Sequence, residues 1–279
     1  MQQKKIYISL ILISFVFISL GCHQVEREKR VEKLETKIEF NPIKEHRGTG
    51  NAYLEVYIES SIGQPSARLN FQINDMPTSN DLVYKGENLY SCYIGHQDKG
   101  TVVKYYLEIT TTTGSKIFLP KNAEEEGNFY TLVFKGEYNK FLWTVHILLT
   151  IISIILFVIA AYFAFKHVKS GYPISRTLWL ALTAFLLFFI GIIFPVGMII
   201  EYQVYGTVWD GWPFGNDFTN TKAFILFIYW LASLFMMKNS IFKKEEKNLI
   251  TDRIFASLVI IGTIITVALF IVPHENIRF

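Results

Sequence analysis

Four ionisable residues are predicted to lie at the same end of four apolar segments, and their types suit metal or haem binding. They are His146, Glu201, Asp217 and His274, with Glu275 beside the last. Imidazoles and carboxylates together bind transition metals, and two histidines on facing helices can ligate a haem iron. Their spacing forms no motif, so only their inferred depth unites them. The alternative for His146 is an interfacial histidine that hydrogen-bonds to backbone or water.

The connection from Glu201 to Lys222 is a second candidate for function. Tryptophans, glycines and a proline predict a tight, shaped loop there. Its candidate functional residues are Trp209, Asp210, Trp212, Pro213, Phe214, Gly215 and Asp217. The alternative is an interfacial plug, because tryptophan rings favour the headgroup level of a bilayer.

The composition argues against the commonest soluble functions. No Gly-x-Ser-x-Gly, P-loop, dinucleotide-binding or HExxH motif occurs, so an enzyme of the soluble type is not expected. The net charge is only +3, which does not indicate a nucleic-acid partner. The two cysteines, Cys22 and Cys92, exclude zinc-finger and Cys-x-x-Cys sites.

Four apolar runs predict an α-helical transmembrane bundle of four helices within residues 141–279. They cover residues 141–165, 177–200, 219–237 and 254–272. A spanning helix needs about 20 residues, and the uncharged part of the third run is shorter. We therefore expect that helix to extend outward through Thr219 to Thr221, or the bilayer to thin around it. Pro195 and Gly197 predict a kink in the second helix.

Basic residues are distributed unequally between the two sides of this bundle. The connections between spans one and two and between spans three and four hold eight lysines and arginines. The loop at 201–222 and the C-terminal tail hold two. Because basic loops stay in the cytoplasm, we expect this loop, the C-terminus and the N-terminal domain to face outward. The expected location is a bacterial cytoplasmic (inner) membrane.

Residues 1–21 have the composition of an export signal. A short basic stretch precedes the apolar run Ile6–Leu20, and Gly21 and Cys22 follow it. This segment resembles a bacterial lipoprotein signal, and the resemblance implies cleavage before Cys22 and lipidation of that cysteine. An uncleaved anchor is the alternative. Either one exports the chain that follows, which begins with a charged linker at 22–35.

Residues 36–135 are predicted to form a two-sheet β-sandwich. Alternation of apolar and polar residues indicates strands with one buried face. Strands are expected at residues 52–59, 67–73, 89–94, 103–109 and 128–134. Turn residues, among them Met76–Pro77, separate them at spacings of ~8–12 residues, which is typical of sandwiches. Cys92 is in phase with Tyr90 and Ile94, so we expect a buried thiol there.

One stretch within this region resembles a known family. Gly100–Glu108, which contains the pair Tyr105–Tyr106, precedes Gly114 and looks like the penultimate strand of bacterial immunoglobulin-like or fibronectin-III-like domains. Phe40–Pro42 looks like the first strand of the same modules. The resemblance implies an all-β immunoglobulin-like sandwich, and it implies little about function because such sandwiches host many roles.

Two functional hypotheses follow. The first is a non-enzymatic envelope protein whose exported sandwich binds a protein or glycan partner while the helices occupy the bilayer. The second is a membrane redox or metal-handling protein with a metal or haem site at the outer end of the bundle. No cofactor is expected under the first hypothesis.

Overall fold

The computed structural model describes residues 31–33, 36–123, 127–215 and 217–271. Its contacts divide the chain into two compact units. The first unit runs to Lys44 and resumes over Asn51–His96 and Val103–Leu132. The second unit contains all residues from Val133 onward, together with the short segments Glu45–Gly50 and Gln97–Val102.

The N-terminal part of the chain forms two β-sheets. The strands are β1 Val31–Lys33, β2 Thr36–Phe40, β3 Glu45–Arg47, β4 Ala52–Ser60, β5 Ser66–Ile73, β6 Met76–Asp81, β7 Val83–Gly86, β8 Leu89–Ile94, β9 Val102–Thr110, β10 Lys116–Leu119 and β11 Tyr130–Lys135. One sheet has the order β1-β2-β4-β8-β7, and the other has the order β3-β11-β9-β5-β6, with β10 paired to β9. The predicted β-sandwich followed by apolar helices is confirmed, whereas an immunoglobulin-like topology stays a prediction.

Alternating burial explains why these strands make a core. In β4 the side chains of Leu54, Val56 and Ile58 are buried, while the residues between them face away from the core. Each fully buried aliphatic side chain of this kind contributes about 1.5–3 kcal/mol. The rings of Phe40 in β2 and Tyr130 in β11 lie 5.5 Å apart and join the two layers.

The hairpin between β5 and β6 turns at residues other than the predicted ones. Asn74 and Asp75 both have positive φ angles, 50° and 62°, as a tight two-residue hairpin turn requires. The sequence instead predicts a turn at Met76–Pro77, which is wrong because these residues begin strand β6. Strand β6 lies at the edge of its sheet, where a proline costs no hydrogen bond of the ladder.

The helices follow the strands. They are α1 Lys140–Ser170, α2 Ile174–Phe188, a π-helix Phe189–Ile193, α3 Val196–Tyr205, α4 Phe218–Phe235, α5 Lys238–Ile241 and α6 Asp252–Ile271. In the described part of the chain, four helical segments are long and apolar enough to cross a membrane: α1, the segment Ile174–Tyr205, α4 and α6. Helix α4 begins at Phe218, so it includes Thr219–Thr221, and the outward direction of this extension stays a prediction.

Aromatic stacking and small side chains hold the helices together. The rings of Phe157 in α1 and Trp230 in α4 stack at 4.0 Å, and the indole N–H of Trp230 donates to Oγ1 of Thr266 in α6 over 3.1 Å. Fully buried alanines let the helix backbones approach closely. They are Ala160, Ala164, Ala181, Ala184 and Ala256.

The second span is broken rather than merely kinked. After the π-helix, Phe194 has an extended backbone (φ −137°, ψ 131°), and Pro195 precedes the restart at Val196. Proline has no N–H to continue the helical ladder. A Cβ added to Gly197 would collide with the carbonyl of Ile192, so only glycine fits at this close approach.

Candidate functional site

His146 lies in α1 beside the π-helical turn of the second span. Its Nδ1 is 2.8 Å from the carbonyl oxygen of Gly191, and its ring stacks on Trp143 at 5.7 Å. Because a carbonyl oxygen only accepts, Nδ1 carries the hydrogen and Nε2 carries the lone pair. The alternative predicted for His146, a hydrogen bond to backbone, is therefore present, and Nε2 keeps the lone pair that a metal would need.

Glu201 and Asp217 are joined through Asn220 in the first turn of α4. The Asn220 side-chain amide donates to Oε1 of Glu201 over 3.1 Å, and its backbone N–H donates to Oδ1 of Asp217 over 2.7 Å. Asp217 is thus the N-cap of α4. A carboxylate at this position satisfies an otherwise unpaired N–H and stabilises the helix N-terminus.

Tight glycines fix the loop between α3 and α4. A Cβ added to Gly211 would lie 2.6 Å from Cβ of Asn220, and one added to Gly215 would collide with Asp210. The backbone N–H of Asp217 donates to the carbonyl of Asp210 over 2.7 Å and closes the loop at its base. Close packing therefore explains why glycine occupies both positions, which the residue pattern of the loop alone does not show.

Two tryptophans of the loop lie against α4, and Phe214 projects from the loop. The rings of Trp209 and Trp212 contact Phe224 of α4 at 6.0 and 5.9 Å. Phe214 is 85% exposed, and a cis peptide bond links Trp212 to Pro213. Because Phe224 belongs to the apolar stretch of α4, these rings pack on a helix that is apolar enough to span a membrane, and the interfacial plug stays a prediction.

The metal or haem hypothesis stays a prediction. His274 and Cys22 lie outside the described residues. Within the described ranges, no group of three or more His, Cys, Asp or Glu side chains is placed to hold a metal ion.

A second candidate site lies wholly in the β-rich unit, on the outer face of the sheet that contains β5 and β9. It is a cleft of about 260 Å³. Its lining residues combine side-chain amides, hydroxyls, an amine and aromatic rings: Asn70, Phe71, Gln72, Pro77, Thr78, Ser79, Lys104, Tyr106 and Phe129. A concavity that combines aromatic rings with polar side chains is a candidate ligand site.

Strand register brings the polar side chains of this cleft together. Asn70 of β5 lies opposite Tyr106 of β9 on one side and Ser79 of β6 on the other. Gln72 lies opposite Lys104 in the next row of the same face. Side chains opposite each other on one face are only about 5 Å apart at Cβ, which is within reach of a single bound molecule.

Charged side chains border the cleft. The side-chain amide of Asn70 donates to Glu108 over 3.5 Å, and Lys116 forms an ion pair with Glu108 at 2.7 Å. Beside them, Nε of Arg68 donates to Asp81 over 2.8 Å, and this hydrogen bond raises the pKa of the Arg68 guanidinium. Asn70 is therefore held in place by a charged neighbour.

Aromatic rings form the apolar part of the cleft. The ring of Tyr106 lies 5.7 Å from that of Phe129, at an interplanar angle of 32°, and 6.2 Å from that of Phe118. Tyr106 and Phe129 are half-buried, so part of each ring remains open to the cleft. Tyrosine offers both an apolar face and a hydroxyl to a ligand.

Comparison with known proteins assigns no family. No protein-family model and no curated protein matches the chain. Among solved structures, the crystal structure of a Br derivative of BhCBM56 aligns with 38% of this chain and 99% of its own chain, at 10% identity and a TM-score of 0.24. So low a TM-score carries no argument, and any function must be inferred from the residues themselves.

The cleft contains the residues that sequence reasoning missed. The alternation rule predicts outward side chains at Asn70 and Tyr106, and it assigns them to solvent. The residue types at those outward positions could have indicated a binding site, because amides and aromatic rings occur there as well as charged residues. Their convergence depends on the pairing of β5 with β9, which no local pattern specifies.

Proposed function

We propose that this chain is a non-enzymatic membrane protein of the bacterial envelope, whose exported β-sandwich binds a carbohydrate in the cleft beside Tyr106. The observation that carries the proposal is the placement of aromatic rings and side-chain amides around one concavity on an exposed sheet face. The membrane part rests on four apolar helices, which retain the chain at the bilayer.

The chemistry of the cleft suits a sugar ring. The C–H face of a pyranose is apolar and packs on the faces of Tyr106 and Phe129. Its hydroxyls need neighbouring donors and acceptors, and the amides of Asn70 and Gln72 offer both within one side chain. Lys104 adds a cation that favours a sugar bearing a carboxylate.

The dimensions of the cleft suit a short stretch of a glycan. Its volume of about 260 Å³ is near the lower end, about 300 Å³, of pockets that enclose drug-sized ligands. One or two sugar rings fit in such a space, while the rest of the chain remains on the open sheet face. A membrane-anchored domain with this geometry would hold an envelope polysaccharide close to the bilayer.

The other large aromatic feature of the sandwich is less suitable. Tyr53 and Tyr93 lie on the outer face of the first sheet, and Tyr53 is 65% exposed. Their rings are 6.0 Å apart but inclined by 52°, so the two cannot stack on one flat sugar ring. These residues make a matched control for the cleft.

Binding rather than hydrolysis fits the lining of the cleft. Glycosidases place two carboxyl groups about 5–9.5 Å apart across the scissile bond. The cleft-lining residues that the structure describes include neither aspartate nor glutamate, and Glu108 beside them is held by Lys116.

Two independent sequence features support the proposal that the β-sandwich lies outside the cytoplasmic membrane. The lipoprotein-type signal exports the residues after Cys22, and the basic connections keep the opposite side of the bundle in the cytoplasm. A carbohydrate-binding role requires this direction, because envelope polysaccharides lie outside the cytoplasmic membrane. Incorporation of fatty acid that is lost in Cys22→Ala would support the lipid anchor, whereas unchanged incorporation would reject it.

The full-length protein in lipid nanodiscs, applied to an array of bacterial envelope glycans and neutral oligosaccharides, tests the proposal. We expect retention of at least one glycan class and its loss in Asn70→Ala/Tyr106→Ala. The variant Tyr53→Ala/Tyr93→Ala should retain the glycan. Failure to bind any carbohydrate, or loss of binding only in the second variant, would overturn the proposal.

A further inference from the structure

Two cations converge on one pair of aromatic rings where α1 meets α2. The rings of Phe163 and Tyr172 stack at 5.4 Å, with an interplanar angle of 25°. Nζ of Lys166 lies 5.6 Å from the centre of the Tyr172 ring, and Cζ of Arg176 lies 5.5 Å from it. The two positive groups are therefore no more than about 11 Å apart, and each is also 5.9 Å from the Phe163 ring.

The backbone between the two helices fixes this arrangement. Helix α1 ends at Ser170, and Gly171 follows in the left-handed conformation (φ 65°), with its N–H bonded to the carbonyl of His167 over 2.9 Å. Nδ1 of His167 donates to the carbonyl of Tyr172 over 2.6 Å. Because helix α2 already begins at Ile174, the tyrosine ring has little freedom to leave Phe163.

Within the residues that the structure describes, no carboxylate neutralises the positive charge of this cluster. No acidic residue occurs in the sequence between Glu137 and Glu201. In the described part of the chain, neither Lys166 nor Arg176 forms an ion pair with a carboxylate. The aromatic faces attract each cation, but they carry no net negative charge, so the site favours an anion.

The position of the cluster indicates which kind of anion it would bind. Tyr162 and Trp179 flank it with exposed rings, as residues do at the headgroup level of a bilayer. Below it, the outer surfaces of α1 and α2 present the exposed apolar side chains of Phe165, Val158 and Leu186. A ligand with a phosphate at the cluster would therefore lay acyl chains along these helices.

We propose that Lys166, Arg176 and Tyr172 form a binding site for the headgroup of an anionic phospholipid. The Arg176 guanidinium binds phosphate oxygens through its planar fork, Lys166 contributes a second donor, and the Tyr172 ring holds both cations in position. Basic pockets between membrane helices bind acidic lipid headgroups by this chemistry. The site is independent of the glycan proposal and of which leaflet it faces.

The connection between spans three and four is also basic, and it serves as a comparison for the proposed site. Lys243 and Lys244 precede Glu245 and Glu246 directly, so that connection carries its own neutralising carboxylates. Both lysines are exposed. The variant Lys243→Gln/Lys244→Gln removes the same charge as Lys166→Gln/Arg176→Gln without touching the proposed site, which makes it a matched control.

Native mass spectrometry of the full-length protein in neutral detergent, titrated with phosphatidylglycerol and phosphatidylcholine of the same chain length, tests the site. We expect wild type to prefer phosphatidylglycerol. Lys166→Gln/Arg176→Gln should reduce that preference roughly 25-fold, because each basic contact contributes about fivefold. Lys243→Gln/Lys244→Gln should change it less than twofold, and Lys166→Arg should retain it.

Three results would overturn this site: equal binding of the two lipids by wild type, an unchanged preference in Lys166→Gln/Arg176→Gln, or an equal loss in the control. Inorganic phosphate distinguishes a lipid site from a free-phosphate site. Millimolar phosphate that displaces phosphatidylglycerol completely would contradict a site that also uses the acyl chains. If the double variant does not fold, the comparison of the two lipids on wild type and Arg176→Gln decides the question.

Discussion

His146 donates a hydrogen bond from Nδ1 to the carbonyl oxygen of Gly191, at the point where the second span leaves regular α-helical geometry. A π-helical turn changes which carbonyls the backbone can satisfy, and Gly191 is buried. The imidazole thus donates to the backbone at the break in the helix, which gives His146 a structural role whether or not it also binds a metal.

Replacing His146 by leucine should destabilise the helical unit. The buried Gly191 carbonyl then loses the imidazole as a donor, and losing one such hydrogen bond costs about 0.5–1.5 kcal/mol. The His146→Gln variant should lose less stability, because the glutamine amide can also donate a hydrogen bond. The melting temperature of the detergent-solubilised protein measures both, with the exposed Trp179→Leu change in α2 as a control.

The same pair of variants tests the metal or haem hypothesis. If His146 is a ligand, wild type should contain stoichiometric iron, copper or zinc, or show a Soret absorption band, and both variants should lose it. A metal-free, colourless wild type whose His146→Gln variant is nearly as stable as itself would leave only the structural role.

Removing the cap of α4 should loosen the loop that precedes it. Asp217→Ala deletes the acceptor for the Asn220 N–H and should cost about 1 kcal/mol, whereas Asp217→Asn keeps an acceptor and should cost less. Faster proteolysis between Trp209 and Gly215 in the alanine variant is the measurement. Equal rates in wild type, Asp217→Asn and Asp217→Ala would contradict a capping role.

The Cys92 thiol should be unreactive in the folded protein. It is only 7% exposed, and burial raises its pKa to about 12 from an ordinary value of 9.0. In a Cys22→Ala background, where Cys92 is the sole cysteine, maleimide at pH 8 should label the unfolded chain and leave the folded chain unlabelled. Labelling of the folded protein at the unfolded rate would contradict the buried position in β8.

The same thiol predicts an alkaline effect on stability. Its folded pKa is raised, so the unfolded state loses the proton first, and the free energy of unfolding falls as the pH rises from about 9 towards 12. The Cys92→Ala variant has no thiol to ionise, so it lacks this pH dependence. Its stability should therefore decline less than that of wild type over this pH range when urea unfolding is followed by circular dichroism.

Strands were predictable because burial on one face imposes a period of two. Leu54 and Val56 in β4 show this directly. The same pattern predicts a buried thiol at Cys92, and the structure confirms it. The turns were less predictable. Asn74 and Asp75 take positive φ angles, whereas the more obvious signal at Pro77 belongs to an edge strand that tolerates proline.

The candidate sites were less accessible to sequence reasoning than the fold. Asn70 and Tyr106 meet only because β5 and β9 pair in one particular register, and register depends on the whole sheet. Depth along a helix did identify His146 as unusual, because a polar side chain within an apolar span needs a partner. That its partner would be a backbone carbonyl at a π-helical turn could not be read from Pro195 alone.

The dissociation constant of the retained glycan for Tyr106→Ala, compared with that for Tyr53→Ala, tests the central claim most directly. Losing about 60 Å² of buried ring surface costs about 1.5 kcal/mol, which is roughly tenfold in affinity. We predict about a tenfold weaker affinity for Tyr106→Ala, a smaller loss for Tyr106→Phe, and no change for Tyr53→Ala. An unchanged affinity in Tyr106→Ala, measured on folded full-length protein, would contradict a carbohydrate site in this cleft.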